Sequence, residues 1–435
     1  MGHTYERPPG PSSWAAFRAI IGTRSTDPDF FTRAAERYPR VAHVRLGGEH
    51  LYLLSHPDTV RLLLVEAGRN TTKSRGLQGA KRILGDGLLT SSGELHRLQR
   101  RLIQPAFHHE RVAGYVAEMA AAADRLSARW TPGRQVDMAA EMSALTLEVV
   151  GRALFGSDLE RDFSAVREAL TELLKAYNRS FLPWFDLAMR LGTPLARRVN
   201  AAKARLDAVV DGMIARHDPD SDDLLAAMQS AGQMSPAQLR DESMTMLLAG
   251  HETTASTLAF AWYLLDRNPD AARWLWDEVD TVGPSGQLIR TRAVVAETMR
   301  LYPPAWVLGR RLTADLRIDD WTAPPGSTCL VSQWVLHRDP WFWTDPLTFA
   351  PQRWIDADGA FGLDVPGQPR LAYFPFGAGS RICVGESFAW AEATVLLAGL
   401  ARSWWPRLAA DYRLRLRPAI TLRPDGVLPM TLYPR

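Results

Sequence analysis

Only two cysteines occur in the 435 residues, Cys329 and Cys383, so no disulfide framework is available. A chain that folds without bridges suits a reducing cytoplasm. Long apolar runs are missing as well. Near the N-terminus residues 14–21 form a short apolar stretch, but Arg18 interrupts it and it is far too short to span a bilayer. The chain reads as soluble, with no membrane anchor. Neither sign of charge dominates: 51 Lys and Arg against 48 Asp and Glu leave +3. The basic residues are interspersed with acidic ones, which argues against a nucleic-acid footprint, since that needs them gathered on one face. Repeats, low-complexity tracts and linkers are also lacking, so residues 1–435 read as one compact domain. Hydrophobic residues at 46% are ample for a sizeable core.

Helical periodicity dominates from residue 111 to residue 268. Alternating pieces at 41–44 and 51–54 suggest a small sheet, and 328–333 with 420–432 suggest further strands. The class is mainly α with a minor β portion. The most telling helix starts at Ser235-Pro236, where serine suits the N-cap, proline the first helical position, and Gln238 completes a capping box. It runs to Arg267, before Asn268-Pro269 stops it, a rod of roughly 45 Å. Its middle reads Ala249-Gly250-His251-Glu252-Thr253-Thr254. Glycine and paired threonines are poor helix formers, and a local rule broken inside a well-made helix points to a functional site.

The chemistry is concentrated in Phe376-Gly-Ala-Gly-Ser-Arg-Ile-Cys383-Val-Gly385, a glycine-loosened turn followed by a helical run over 386–400. A lone thiolate in such a loop can ligate a haem iron from one side and leave the other open, favouring O–O cleavage. Gly377 and Gly379 let the backbone turn tightly and approach a flat macrocycle. Phe376 can cover the sulfur, amides beyond Cys383 can point back at it, and Arg381 offers a cation to a propionate. These ten residues resemble the haem-binding pattern of the cytochrome P450 superfamily, Phe-Gly-x-Gly-x-Arg-x-Cys-x-Gly, at all six fixed positions.

The run Ala249-Gly250-x-Glu252-Thr253 resembles that superfamily's second pattern, Ala-Gly-x-Asp/Glu-Thr. The resemblance implies that Gly250 and Ala249 leave room for dioxygen over the open haem face, that Thr253 serves the oxygen site and that Glu252 delivers protons. A hydroxyl that holds a water, with a carboxylate as relay, meets the need for protons at the outer oxygen only. His251 reads as structural. Glu297-Thr-Met-Arg300 followed by Leu301-Tyr-Pro-Pro304, with Phe349-Ala-Pro-Gln-Arg353 beyond, resembles the Glu-x-x-Arg pair locked by a third residue. Glu297, Arg300 and Arg353 are thus expected to scaffold the cysteine loop. His96-Arg-Leu-Gln-Arg100 takes the place of the family's Trp/His-x-x-x-Arg segment, and Arg310 stands before Leu312-Thr-Ala-Asp315. His96, Arg100, Arg310 and Arg381 are the implied propionate partners, with Arg311 a rival to Arg310.

By position, the substrate segments of such a protein are 75–89, 175–191, 244–249, 305–308 and 425–428. Their pocket candidates are Leu88, Phe181, Trp184, Phe185, Leu248, Trp306, Val307 and Val427, with Leu89 and Met244, a mostly apolar set. Aromatics between Tyr177 and Phe185 suggest a movable lid. The resemblance implies a soluble bacterial haem-thiolate monooxygenase with haem b (iron protoporphyrin IX). It would hydroxylate or epoxidise a small apolar molecule such as a terpenoid, polyketide or peptide secondary metabolite. Dioxygen is the oxidant, electrons come from a ferredoxin and its NAD(P)H-dependent reductase, and a cytoplasmic monomer is expected. Arg97 and Arg101 could steer the acidic ferredoxin. Other readings are an oxidative coupling or cyclisation enzyme of the same family, and a non-catalytic haem-thiolate binding protein.

Overall fold

The computed structural model describes residues 5–20, 27–156, 166, 168, 169, 172, 173, 176, 185–282, 286–365 and 367–435. The frame is the helix Pro236–Arg267. Ser235 Oγ accepts from the Gln238 amide at 3.2 Å while Gln238 Oε1 accepts from the Ser235 amide at 2.9 Å, so both ends of the capping box are made. Asn268 closes it, its Nδ2 donating to the Leu264 carbonyl at 2.8 Å. These are the boundaries read from the sequence. Every residue from Glu242 to Leu248 and from Thr254 to Trp262 is buried. With no face left for water, this helix must be enclosed by others. The helices Met138–Phe155, Ile289–Leu301, Glu386–Ala401 and Pro194–Arg216 pack against it.

Gly250 is what permits one of these contacts. A Cβ built there would meet Val150 Cγ2 at 3.0 Å. The glycine expected to make room for dioxygen thus spends its missing side chain on the approach of helix Met138–Phe155, which also sends Thr146 Oγ1 to the His251 carbonyl at 2.9 Å.

Beside the helical body lies a five-stranded sheet. Hairpin strands Val41–Leu46 and Glu49–Leu54 run antiparallel, Thr328–Val331 adds in parallel, then Leu308–Leu312 and Thr71–Lys73 complete it. The strand expected over 328–333 ends at Val331, because Ser332 caps a short helix, Gln333–Leu336. The expected C-terminal strands appear as Leu422–Pro424 and Pro429–Pro434. Among the described residues no helix is long and apolar enough to cross a membrane.

Candidate active site

The site is built on a buried ion-pair network. Glu297 and Arg300 sit one turn apart and neither side chain reaches solvent. Arg300 Nη2 and Nε donate to Glu297 Oε1 and Oε2 at 2.8 and 2.9 Å. The same carboxylate accepts from Arg353 Nε at 3.0 Å, Trp354 Nε1 at 2.9 Å and the Ala350 amide at 2.9 Å. Arg300 also donates to the carbonyls of His337, Pro346 and Thr348. Such a pair is tolerable in the interior only with this degree of hydrogen bonding. Burial holds His337 down at about 3, so it is neutral and its Nε2 accepts from the Phe374 amide at 2.9 Å. With Tyr373 Oη donating to the Ala296 carbonyl at 2.9 Å, this ties the start of the cysteine loop to the network.

Within the loop the Cys383 amide donates to the Phe376 carbonyl at 3.0 Å and the Gly377 amide to the Phe374 carbonyl at 2.9 Å. Gly377 and Gly379 have φ of 76° and 70°, where a side chain is strained. Their duties differ. Gly377 lines a cavity of about 320 Å³, whereas a Cβ at Gly379 would lie 2.1 Å from the Leu64 carbonyl oxygen. The second glycine therefore serves backbone packing, not approach to the cavity. Cys383 and Phe376 line that cavity, and Phe376 rests on Trp390 with ring centroids 5.8 Å apart. Cys383 is accessible through the cavity, yet protein surrounds its sulfur. Burial accordingly pushes the thiol up to about 11, opposed by the Gly385 amide at the head of helix Glu386–Ala401. A coordinating metal reverses that preference, since a ligated thiol is deprotonated.

Five basic side chains line the same cavity: Lys73, His96, Arg100, Arg310 and Arg381. Lys73 stands directly opposite Arg310 in the sheet register, an arrangement that repels unless an anion intervenes. Burial, then Arg310, Arg381 and Arg100, press Lys73 down to about 7. Burial and Lys73 hold His96 near 3, and burial with Arg381 brings Arg310 to about 10. Arg100 Nη1 donates to the Ile382 carbonyl at 2.6 Å, joining helix Gly93–Ile103 to the cysteine loop. Arg381 Nη2 donates to the Thr71 carbonyl at 3.2 Å, but its buried Nη1 has no hydrogen-bond partner among the described residues. Mutually repelling donors around a cavity that also holds a thiol fit the two carboxylates and the metal of a haem. Of the rivals at 310 and 311, Arg310 lines the cavity, whereas strand alternation turns Arg311 the other way toward Glu49 Oε1 at 3.4 Å. Lys73 went unread in the sequence because only strand pairing brings it beside Arg310.

The middle of the long helix forms another wall. Ala249, Gly250, Thr253 and Thr254 line the cavity, and Thr253 Oγ1 donates to the Ala249 carbonyl at 2.8 Å. Glu252 does not line it. Its Oε1 accepts from Arg423 Nη1 at 3.2 Å, on the flank that meets strand Leu422–Pro424. His251 is buried with Nδ1 at 2.7 Å from the Leu247 carbonyl, a structural role.

The apolar wall differs from the sequence reading in several places. Leu88 and Leu89 line the cavity as expected. Leu248 and Met244 are packed into the helical core instead, because the long helix is buried all round and gives the cavity only one of its faces; Phe185, at the start of helix Phe185–Arg190, is buried in the same core. Trp306 and Val307 face the N-terminal core, where Trp306 packs on Phe31 at 5.5 Å and its Nε1 donates to the Ala419 carbonyl at 3.0 Å. Their neighbours Ala305 and Leu308 face the cavity. Val427 is 58% exposed at the turn after Gly426, while Leu428 takes the buried place. Phe181, Trp184 and the lid expected from Tyr177 lie outside the described residues. Unforeseen lining residues include Leu77, Leu154, Thr245, Met246 and Met299. Among these, Leu77, Thr245 and Met246 fell inside expected segments without being singled out.

A family profile described as cytochrome P450 matches residues 8–404. Cyclooctatin synthase of Streptomyces melanosporofaciens is 38% identical, over 91% of this chain and 89% of that protein. Cyclooctat-9-en-7-ol 5-monooxygenase of the same organism is 36% identical, over 91% and 88%. Pentalenene oxygenase of Streptomyces avermitilis is 29% identical, over 94% and 91%. The crystal structure of a six-coordinated cytochrome P450 from Thermus thermophilus superposes with a TM-score of 0.74 at 28% identity, covering 93% of this chain and 98% of that one. With a family profile matched over residues 8–404, the chain belongs to the cytochrome P450 family of haem-dependent monooxygenases.

Proposed function

We propose that this chain, acting as a single catalytic unit, binds haem b through Cys383 and inserts one atom of dioxygen into an unactivated C–H bond or double bond of a terpenoid secondary metabolite. The second oxygen atom leaves as water, with two electrons and two protons consumed. The observation that carries the reading is one cavity walled by Cys383, by five basic side chains and by Ala249, Gly250 and Thr253. When bound, haem supplies the reductive activation of dioxygen.

The chain's own residues supply the rest. Lys73, His96, Arg100, Arg310 and Arg381 hold the carboxylates. The Thr253 hydroxyl, one hydrogen bond from the Ala249 carbonyl, holds a water and passes a proton at the cavity wall. Glu252, paired with Arg423, acts as the relay behind the helix and hands its proton on by way of Thr253. Leu88, Leu89 and Leu308 exclude water and orient a hydrocarbon. The apolar wall and the relatives named for cyclooctatin and pentalenene chemistry support the terpenoid assignment. Electrons come from a ferredoxin and its NAD(P)H-dependent reductase, and the protein works as a monomer in the cytoplasm, a reducing compartment that its two free cysteines suit.

The test is the reduced holoprotein under carbon monoxide, followed by NADPH consumption with generic redox partners and cyclic terpenoids. The expected result is the Soret band of an anionic sulfur donor and oxygenated product. A missing band overturns the haem-thiolate reading. A normal band with product from no cyclic terpenoid overturns the substrate class.

A further inference from the structure

Phe376 shares the cavity wall with Cys383 and is itself backed by a charged aromatic group. Its ring meets Trp390 at 5.8 Å between centroids, and Trp390 meets Phe361 at 5.9 Å and 68°. The Arg292 guanidinium lies over both outer rings, 5.2 Å from the Trp390 centroid and 4.8 Å from that of Phe361. A cation so placed gains from both ring faces. Glu386 completes the group. It opens helix Glu386–Ala401, one turn before Trp390 and three residues after Cys383. Burial pushes its carboxyl up, while hydrogen bonding from Trp390 and the charge of Arg292 draw it back toward the ionised form.

A carboxylate in the first turn of a helix is ordinary, because the helix dipole favours it. Beside this thiol it has a second effect. Apart from burial, the Gly385 amide favours charge on the Cys383 sulfur, Glu386 opposes it and Arg100 favours it. Glu386 is the negative member of that set. A metal-bound sulfur stays deprotonated, so it cannot relieve the repulsion by keeping a proton. The field of Glu386 then falls on the metal–sulfur unit and disfavours each electron added there. Arg292 is the counter-charge of Glu386. It is exposed, so solvent screens it and it offsets only part of that field. Charge and hydrogen bonding around a ligating sulfur are levers on the potential of the metal it holds.

We propose that Glu386 and Arg292, held together by Trp390, set the reduction potential of the thiolate-bound iron: Glu386 lowers it and Arg292 raises it. The inference rests on the haem-thiolate reading of the cavity. Neither residue lines that cavity, so both are positioning residues that act through the charge they present at the Cys383 loop. Glu386 makes the first electron harder to deliver, and Arg292 limits how much harder.

Anaerobic redox titration of the holoprotein tests this with two variants. Glu386→Gln keeps an acceptor for Trp390, and Arg292→Met keeps an unbranched stem between the rings. At a fixed potential the ratio of ferrous to ferric protein should rise about ten-fold in Glu386→Gln, or about 59 mV for one electron. The ratio should fall about three-fold in the more screened Arg292→Met, and the double variant should lie between the two. Lost packing beside Phe376 would move both single variants the same way, whereas lost charge moves them oppositely. Glu386→Gln unmoved or lowered, or Arg292→Met unmoved or raised, would overturn the proposal. The thiolate Soret band under carbon monoxide should stay normal in every variant. A normal band with unmoved potentials discards the charge pair alone, whereas a parent that lacks the band discards the haem-thiolate reading as well.

Discussion

At the scale of single residues, the side chains with chemical work are those whose surroundings leave them a group to spare. Thr253 is the first case. It lines the cavity and spends its proton on the Ala249 carbonyl, leaving its lone pairs for a water. Thr253→Ala should lower product formation on the order of 100-fold while NADPH is still consumed and the ferrous carbon monoxide band is unchanged. The ratio of product to NADPH is the measurement, and unchanged coupling would remove Thr253 from proton delivery. Glu392 is the second. Neither of its oxygens has a hydrogen-bond partner among the described residues, and burial pushes its carboxyl from 4.5 up to about 8, with the nearby Thr254 hydroxyl opposing. Between those values the folded chain keeps a proton that the unfolded chain releases. Native protein then binds more protons, so stability is fully present below 4.5 and is lost as pH rises toward 8. Glu392→Gln keeps a neutral side chain throughout. Urea denaturation should show parent and variant alike at pH 5 and the variant gaining on the parent at pH 8. A constant difference across that range would contradict the assignment.

Elements meet through contacts that a sequence states only as residue types. Gly250→Ala should gain about 1 kcal/mol of helix propensity and lose about 1–3 kcal/mol by overpacking. With Val150 Cγ2 at 3.0 Å from the new Cβ, the loss wins. Urea midpoints should fall for Gly250→Ala and recover in part with Val150→Ala; a stabilised single variant would show that the helices part without cost. The Glu297 network is more demanding. Glu297→Gln leaves Arg300 buried without its counter-charge, a loss of about 3–5 kcal/mol, and loosens the anchor of the cysteine loop through His337 and Phe374. Both the urea midpoint and the fraction of protein giving the thiolate band should drop, and an unchanged midpoint would reduce the network to a surface-like pair. The helix caps, by contrast, were plain in the chain, because Ser235, Pro236, Gln238 and Asn268 act on backbone groups within a few residues of themselves.

Across the whole molecule, helix Gly93–Ile103 divides its charges. Arg100 points to the cavity and the cysteine loop, while Arg97 and Arg101 are exposed. Among the described residues Arg97 meets Glu94 at 3.5 Å, and both outer arginines present exposed charge to an acidic electron donor. Arg97→Glu with Arg101→Glu should slow reduction by ferredoxin about ten-fold at low ionic strength and flatten its salt dependence, as stopped-flow reduction at several salt concentrations would report. Unchanged rates would move the docking surface elsewhere.

What could be read from the chain alone was whatever is encoded in contiguous residues: the thiol loop around Cys383, the interrupted helix at Ala249–Thr254, the Glu297–Arg300 pair and the caps. Each depends on backbone turns or helical spacing over ten residues or fewer, so order along the chain carries the information. Direction did not. That Glu252 turns to Arg423, that Trp306 and Val307 face the N-terminal core while Ala305 and Leu308 face the cavity, and that Lys73 opposes Arg310 follow from rotation of a helix, alternation of an extended segment and register between strands more than two hundred residues apart. These are fixed when layers close and apolar area is buried, and no local pattern states which side will be covered.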